Sequence, residues 1–85
     1  RLAAGEPVWL DAAAAAGAQA GQAVACAVQI RAHGQAVGCA LRWEAAAGLL
    51  AAELAEPVRG VAAGQAAVFY QGDRVIAAGR LTARS

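Results

Sequence analysis

The 85-residue sequence contains no methionine, lysine or asparagine, one histidine, His33, and two cysteines, Cys26 and Cys39. Each shortage closes off a class of function. A structural zinc site takes four Cys or His ligands, and the three residues here, with no CxxC spacing, fall short of that, so no metal site is expected. No serine precedes Ser85, and Cys26 and His33 lie seven residues apart on what read as a strand face and a turn. A nucleophile needs both a base and a group to orient it, so no catalytic residue is assigned. The carboxylates are scattered, and Asp73 reads as a turn residue. Glycine is frequent, but neither a GxGxxG nor a Walker pattern occurs, so no phosphate loop and no cofactor are assigned within this piece. No apolar run reaches the ~20 residues of a membrane span, so the expectation is a soluble chain with no membrane partner.

Charge is also scarce. Seven arginines against six Asp and Glu leave a formal net charge of +1. That is not the basic excess that marks a nucleic-acid binder by itself, so any RNA contact must come from a local patch. Alanine supplies about a third of the residues, a bias that weakens propensity arguments. The chain opens on Arg1 without a methionine, which reads as a processed protein or a piece of a longer one. Two cysteines allow one disulfide, but buried free thiols suit a cytosolic protein better.

What is present is period two. Val24, Cys26, Val28 and Ile30 share one strand face, opposite Ala25, Ala27, Gln29 and Arg31. After a turn at His33-Gly34-Gln35, Val37, Cys39, Leu41 and Trp43 resume the alternation, which makes a β-hairpin with matched apolar faces. Residues 44–55 allow either a strand, with Leu50, Ala52 and Leu54 on one face, or a helix, since Glu, Ala and Leu all favour one. A loop from Pro57 to Gly64 leads to a strand over 66–71, a tight turn at Gln71-Gly72-Asp73 and a return strand over 74–82. An early strand spans Pro7 to Leu10. Segment 11–21 starts with Asp11 and five alanines, but it has interrupting glycines and no apolar stripe, so it reads as a loop with one helical turn. The expected fold is all-β: a small closed or nearly closed barrel of about six short, mostly antiparallel strands in a single domain over 1–85. Residues 22–82 form its core, and 1–21 form a leader and loop.

The run from Glu56 to Val75, Glu-Pro-Val-Arg-Gly-Val-Ala-Ala-Gly-Gln-Ala-Ala-Val-Phe-Tyr-Gln-Gly-Asp-Arg-Val, resembles the end of the bacterial tRNA-specific 2-thiouridylases. In that family a Pro/Arg loop leads into Gly-Gln, two small residues, Val-Phe-Tyr and Gly-Asp. Val28-Gln29-Ile30-Arg31 is similar to the strand that opens the family's C-terminal domain. The resemblance covers roughly residues 24–82. It departs at Ala63, where the family often has proline, and at Ala77-Ala78-Gly79, where it often has more glycine. It implies a parent enzyme that installs sulfur at C2 of the wobble uridine of tRNA, using ATP and a sulfur-relay donor protein. The ATP loop and reactive cysteines of such an enzyme lie in upstream catalytic domains, and Cys26 and Cys39 match neither reactive position. The barrel would then help to hold tRNA or to close the active site over it.

Candidates for contact with RNA or a neighbouring domain are Arg59, Gln65, Arg31 and Arg42. Arginine meets phosphate with a planar fork of donors, and Arg59 stands in the loop of the resembling stretch. Arg31 and Arg42 read equally as solvated barrel surface, and Gln65 as a side chain that pins its loop. Of Phe69 and Tyr70, one must face outward, for stacking on a base or for packing. Trp9 and Trp43 read as core or interface. Two other functions remain open: a translation-factor-like barrel that acts as a protein or RNA adaptor without sulfur chemistry, and a standalone ligand-binding β protein.

Overall fold

The computed structural model describes residues 2–30, 34–58 and 61–82. Six strands and one helix lie within them: β1 (Leu2–Trp9), α1 (Ala12–Gln19), β2 (Val24–Ile30), β3 (Ala36–Glu44), β4 (Leu49–Leu54), β5 (Ala66–Gln71) and β6 (Arg74–Leu81). They close in the order β1-β4-β3-β2-β5-β6, every pair antiparallel. The hairpin-linked β2, β3 and β4 with β1 laid beside β4 form a Greek key. Closure leaves no free sheet edge of the kind that would template aggregation.

The paired strands of the period-two hairpin form as expected, while His33 of its turn lies outside the described residues. Cys26 faces Cys39, Val28 faces Val37 and Val24 faces Leu41 across β2 and β3. Residues of the inward face make the core: Val28, Ile30, Leu41, Leu50, Phe69, Ile76 and Leu81 are all buried, with small residues such as Ala4, Ala52 and Ala67 between them. Segment 44–55 resolves as a turn followed by strand β4, not a helix. Its register against β3, from Cys39↔Leu54 to Glu44↔Leu49, and its pairing with β1 satisfy the edges of those two strands, which a helix here would leave open. Cross-strand pairing overrides the helix propensity of Ala and Leu here.

Two expectations need correction. The first strand is longer than the expected Pro7–Leu10 and begins at Leu2. A bulge between Gly5 and Val8 puts one extra residue into β1 opposite β6, with Glu6 in the left-handed region at φ 51°. The extra residue flips the alternation, so Leu2 and Ala4 pack inward before it and Trp9 after it. The stretch expected as a leader therefore supplies the strand that closes the barrel on β4 and β6. Segment 11–21 is also more ordered than one turn: α1 is eight residues long. The Asp11 side chain accepts from the Ala13 amide at 2.9 Å and caps it. Its packing stripe is two alanines, Ala14 and Ala18, both buried. The stripe was missed because alanine carries so little apolar contrast.

The helix covers one end of the barrel, beside Trp9, Val24 and the start of β6, where Arg74 pairs with Asp11 at 3.1 Å. Around the other end, Val58 and Val61 pack on the rim of the core. A second bulge, in β6, makes Ile76 the extra residue opposite the step from Phe69 to Tyr70 of β5 and turns both Ile76 and Ala77 inward.

Candidate nucleic-acid interface

Arg31 and Arg59 lie outside the described residues. The other two candidates, Arg42 and Gln65, do not converge. Arg42 stands on the outer face of β3, exposed, between Gly21 at the helix end of the barrel and Ala51 of β4. Its guanidinium makes one long hydrogen bond, 3.5 Å, to the Gly21 carbonyl. Most of its five donors are left for solvent or an anion. Gln65 precedes β5 at the opposite end. Its Oε1 accepts from the Ala62 amide at 2.8 Å, and its backbone carbonyl accepts from Leu81. It pins the turn before β5, as the simpler of its two readings predicts.

Arg80, which sequence reasoning missed, organises the same end. Its guanidinium donates to the Gly64 carbonyl at 2.8 Å and lies 3.5 Å from the Glu6 carboxylate. Both groups are well exposed, so the ion pair counts for little. The backbone bond is the firmer link between the Gly64 turn and β6. The signal in sequence was faint: Arg80 falls on the outward phase of a strand, where an arginine reads as solvated surface.

Between β1 and the end of β4 lies a groove of about 380 Å³, lined by Leu2, Leu54, Pro57 and Val58 and by the carboxylate-bearing Glu53 and Glu56. Two carboxylates at its wall disfavour a phosphate there. A shallower groove of about 300 Å³ runs along the β1 bulge, between Glu6, Val8, Ala78 and Arg80. Val8, on its wall, is 53% exposed, and Leu10 at 59% is the other large apolar side chain exposed among the described residues. Phe69 is in the core and Tyr70 half-buried on the outer phase of β5.

Cys26 and Cys39 are free thiols, half-buried rather than fully enclosed, with their Sγ atoms 3.5 Å apart. Their shared hydrogen bond drives the two titrations apart. It holds Cys39 below the ordinary thiol value, while Cys26 is pushed up by that bond, by burial and by the charge Cys39 would carry. Among the described residues, no three His, Cys, Asp or Glu side chains come together in a way that could hold a metal ion. No helix among them is long and apolar enough to cross a membrane.

The profile of the aminomethyltransferase beta-barrel domain matches residues 1–81. The chain is similar to the tRNA-specific 2-thiouridylase MnmA of Frankia casuarinae, 48% identical over 59 residues, 69% of the chain and 16% of that protein. The protein of the same name from Beutenbergia cavernae is 52% identical over 52 residues, 58% of the chain and 14% of the relative. That from Mycobacterium sp. strain KMS is 43% identical over 70 residues, 78% of the chain and 19% of the relative. The chain thus spans less than a fifth of the length of these relatives. No solved structure matches it.

Proposed function

The chain belongs to the aminomethyltransferase beta-barrel domain family, and from that membership we propose that it is the C-terminal barrel of a tRNA-specific 2-thiouridylase. The observation that carries this reading is the 43–52% identity to proteins of that name over more than half of the chain. In such an enzyme, ATP activates the wobble uridine and a relay donor delivers sulfur, both through residues of upstream domains. The barrel's part is to hold the tRNA backbone or to close the site over it, in the cytoplasm where tRNA is modified.

Arg42 is the described residue whose chemistry best fits a phosphate, because it is exposed and its one hydrogen bond is long. Arg74 and Arg80 already face carboxylates, Asp11 and Glu6. Arg59 and Arg31 are proposed as further contacts, on the charge and fork geometry of arginine and, for Arg59, on its place in the stretch that resembles the thiouridylases. Gln65 then contributes indirectly, by fixing the turn at Ala62.

The test uses the full-length enzyme. Arg59→Ala and Arg42→Ala should each weaken tRNA binding by about 1.5–3 kcal/mol, the size of a charge-assisted hydrogen bond. Each should also lower the salt dependence of binding by about one counterion. Melting of the barrel should move little, since exposed substitutions usually stay within about ±0.5 kcal/mol. Unchanged affinity, salt dependence and turnover in both variants would remove the tRNA-holding role.

A further inference from the structure

We propose that Cys26 and Cys39 form a reversible dithiol site, which a small organic disulfide oxidises to a cross-strand disulfide joining β2 to β3. The two residues are direct partners in the antiparallel ladder. Opposed Cα atoms in such a ladder are about 4.5 or 5.5 Å apart. Both values fall within the range of about 4.4–6.8 Å that a disulfide spans. The side chains already point at one another, with Sγ atoms 3.5 Å apart. Reaching a bond length of about 2.05 Å takes side-chain rotation rather than strand movement. Neighbouring pairs in the same register, Val28↔Val37 and Val24↔Leu41, hold the geometry from both sides.

The chemistry balances without a metal or an external electron acceptor beyond the small disulfide itself. Cys39, whose thiolate is favoured by the hydrogen bond from Cys26, attacks one sulfur of the disulfide RSSR. One RS⁻ leaves and takes up a proton, and Cys39 carries the mixed disulfide. Cys26 then gives its proton to solvent and attacks Cys39 Sγ, which forms the Cys26–Cys39 bond and expels the second RS⁻ as RSH. Two protein thiols are oxidised by two electrons in all, and one small disulfide is reduced to two thiols. The half-burial of the pair favours the intramolecular step. It leaves an edge open to a small reagent, and the neighbouring Cys26 thiol then displaces the adduct from Cys39.

Incubating the folded chain with excess glutathione disulfide should lower its mass by two hydrogen atoms, with no glutathione retained, and reduce the free thiols from two to none. Dithiothreitol should reverse both changes. The oxidised chain should melt higher by on the order of 10 °C, because the bond closes a loop of the unfolded chain. In denaturant, the same excess should instead leave adducts on both cysteines. The Cys26→Ser chain should stop at a single adduct on Cys39, with Cys26→Ala as the replacement if serine prevents folding. A folded wild-type chain that keeps an adduct on either cysteine, forms linked dimers or retains both thiols would overturn the proposal.

Discussion

Gly79 sits where β6 passes the bulge of β1, and a Cβ placed there would lie 3.0 Å from both the Ala4 Cβ and the Gly5 carbonyl oxygen. The backbone oxygen cannot rotate away, so the contact is relieved only by moving β1. Gly79→Ala should therefore destabilise the barrel by about 1–3 kcal/mol, the usual cost of overpacking. Chemical denaturation followed by circular dichroism would measure it, and a neutral result would show that the bulge yields freely. Gly72, which opens the tight turn between β5 and β6 at φ 61°, has nothing within 4 Å of such a Cβ. There the cost of alanine is backbone strain alone, about 1 kcal/mol. Both glycines stand in the C-terminal stretch, and from sequence only the turn glycine declares its reason. The need for glycine at 79 comes from a strand more than seventy residues earlier in the chain.

At the scale of single elements, legibility follows contrast between neighbouring side chains. The β2–β3 hairpin could be read residue by residue because Val, Ile, Leu and Trp alternate with Ala, Gly, Gln and Arg. Helix α1 could not, since its buried and exposed positions are both alanine, and only Asp11 signalled a start. The β1 bulge was equally hidden, because one inserted residue puts the two halves of the strand out of phase. For the candidate site, the role of Gln65 was legible, whereas Arg80 and the close approach of the two thiols depend on the register of partner strands. The cap on α1 can be tested separately from the ion pair it shares. Asp11→Ala removes the acceptor for the Ala13 amide and the partner of Arg74, and should cost about 1 kcal/mol. Asp11→Asn keeps the cap but loses the charge. It should recover most of that stability, because Arg74 is 68% exposed and its ion pair is screened by water. Equal losses in the two variants would assign the stability to the ion pair instead.

In the whole molecule, closure rests on β1. It is the one strand whose two neighbours, β4 and β6, both lie far from it in sequence, and its registers run from Leu2↔Ala52 on one side to Trp9↔Ala77 on the other. Such pairings form only after long loops have closed, so they add late and steeply to stability. Without β1, the outer ladder groups of β4 and β6 become unpaired edges, and Leu50, Ala52, Ala77 and Leu81 lose the cover of Ala4 and Trp9. Unpaired, apolar edges of this kind invite association between chains. Residues 22–82 carry the clearest sequence pattern, yet a chain starting at residue 22 should fail to fold on its own. It should show no cooperative thermal transition and should associate at concentrations where the 85-residue chain stays monomeric. Supplying residues 1–21 as a separate peptide should restore part of the transition, since the same backbone partners are then available. Circular dichroism melting with light scattering, on the truncated chain with and without the peptide, would measure this. A truncated chain that melts cooperatively at the temperature of the full one would mean that five strands close the barrel unaided, and that β1 is an addition to a finished fold.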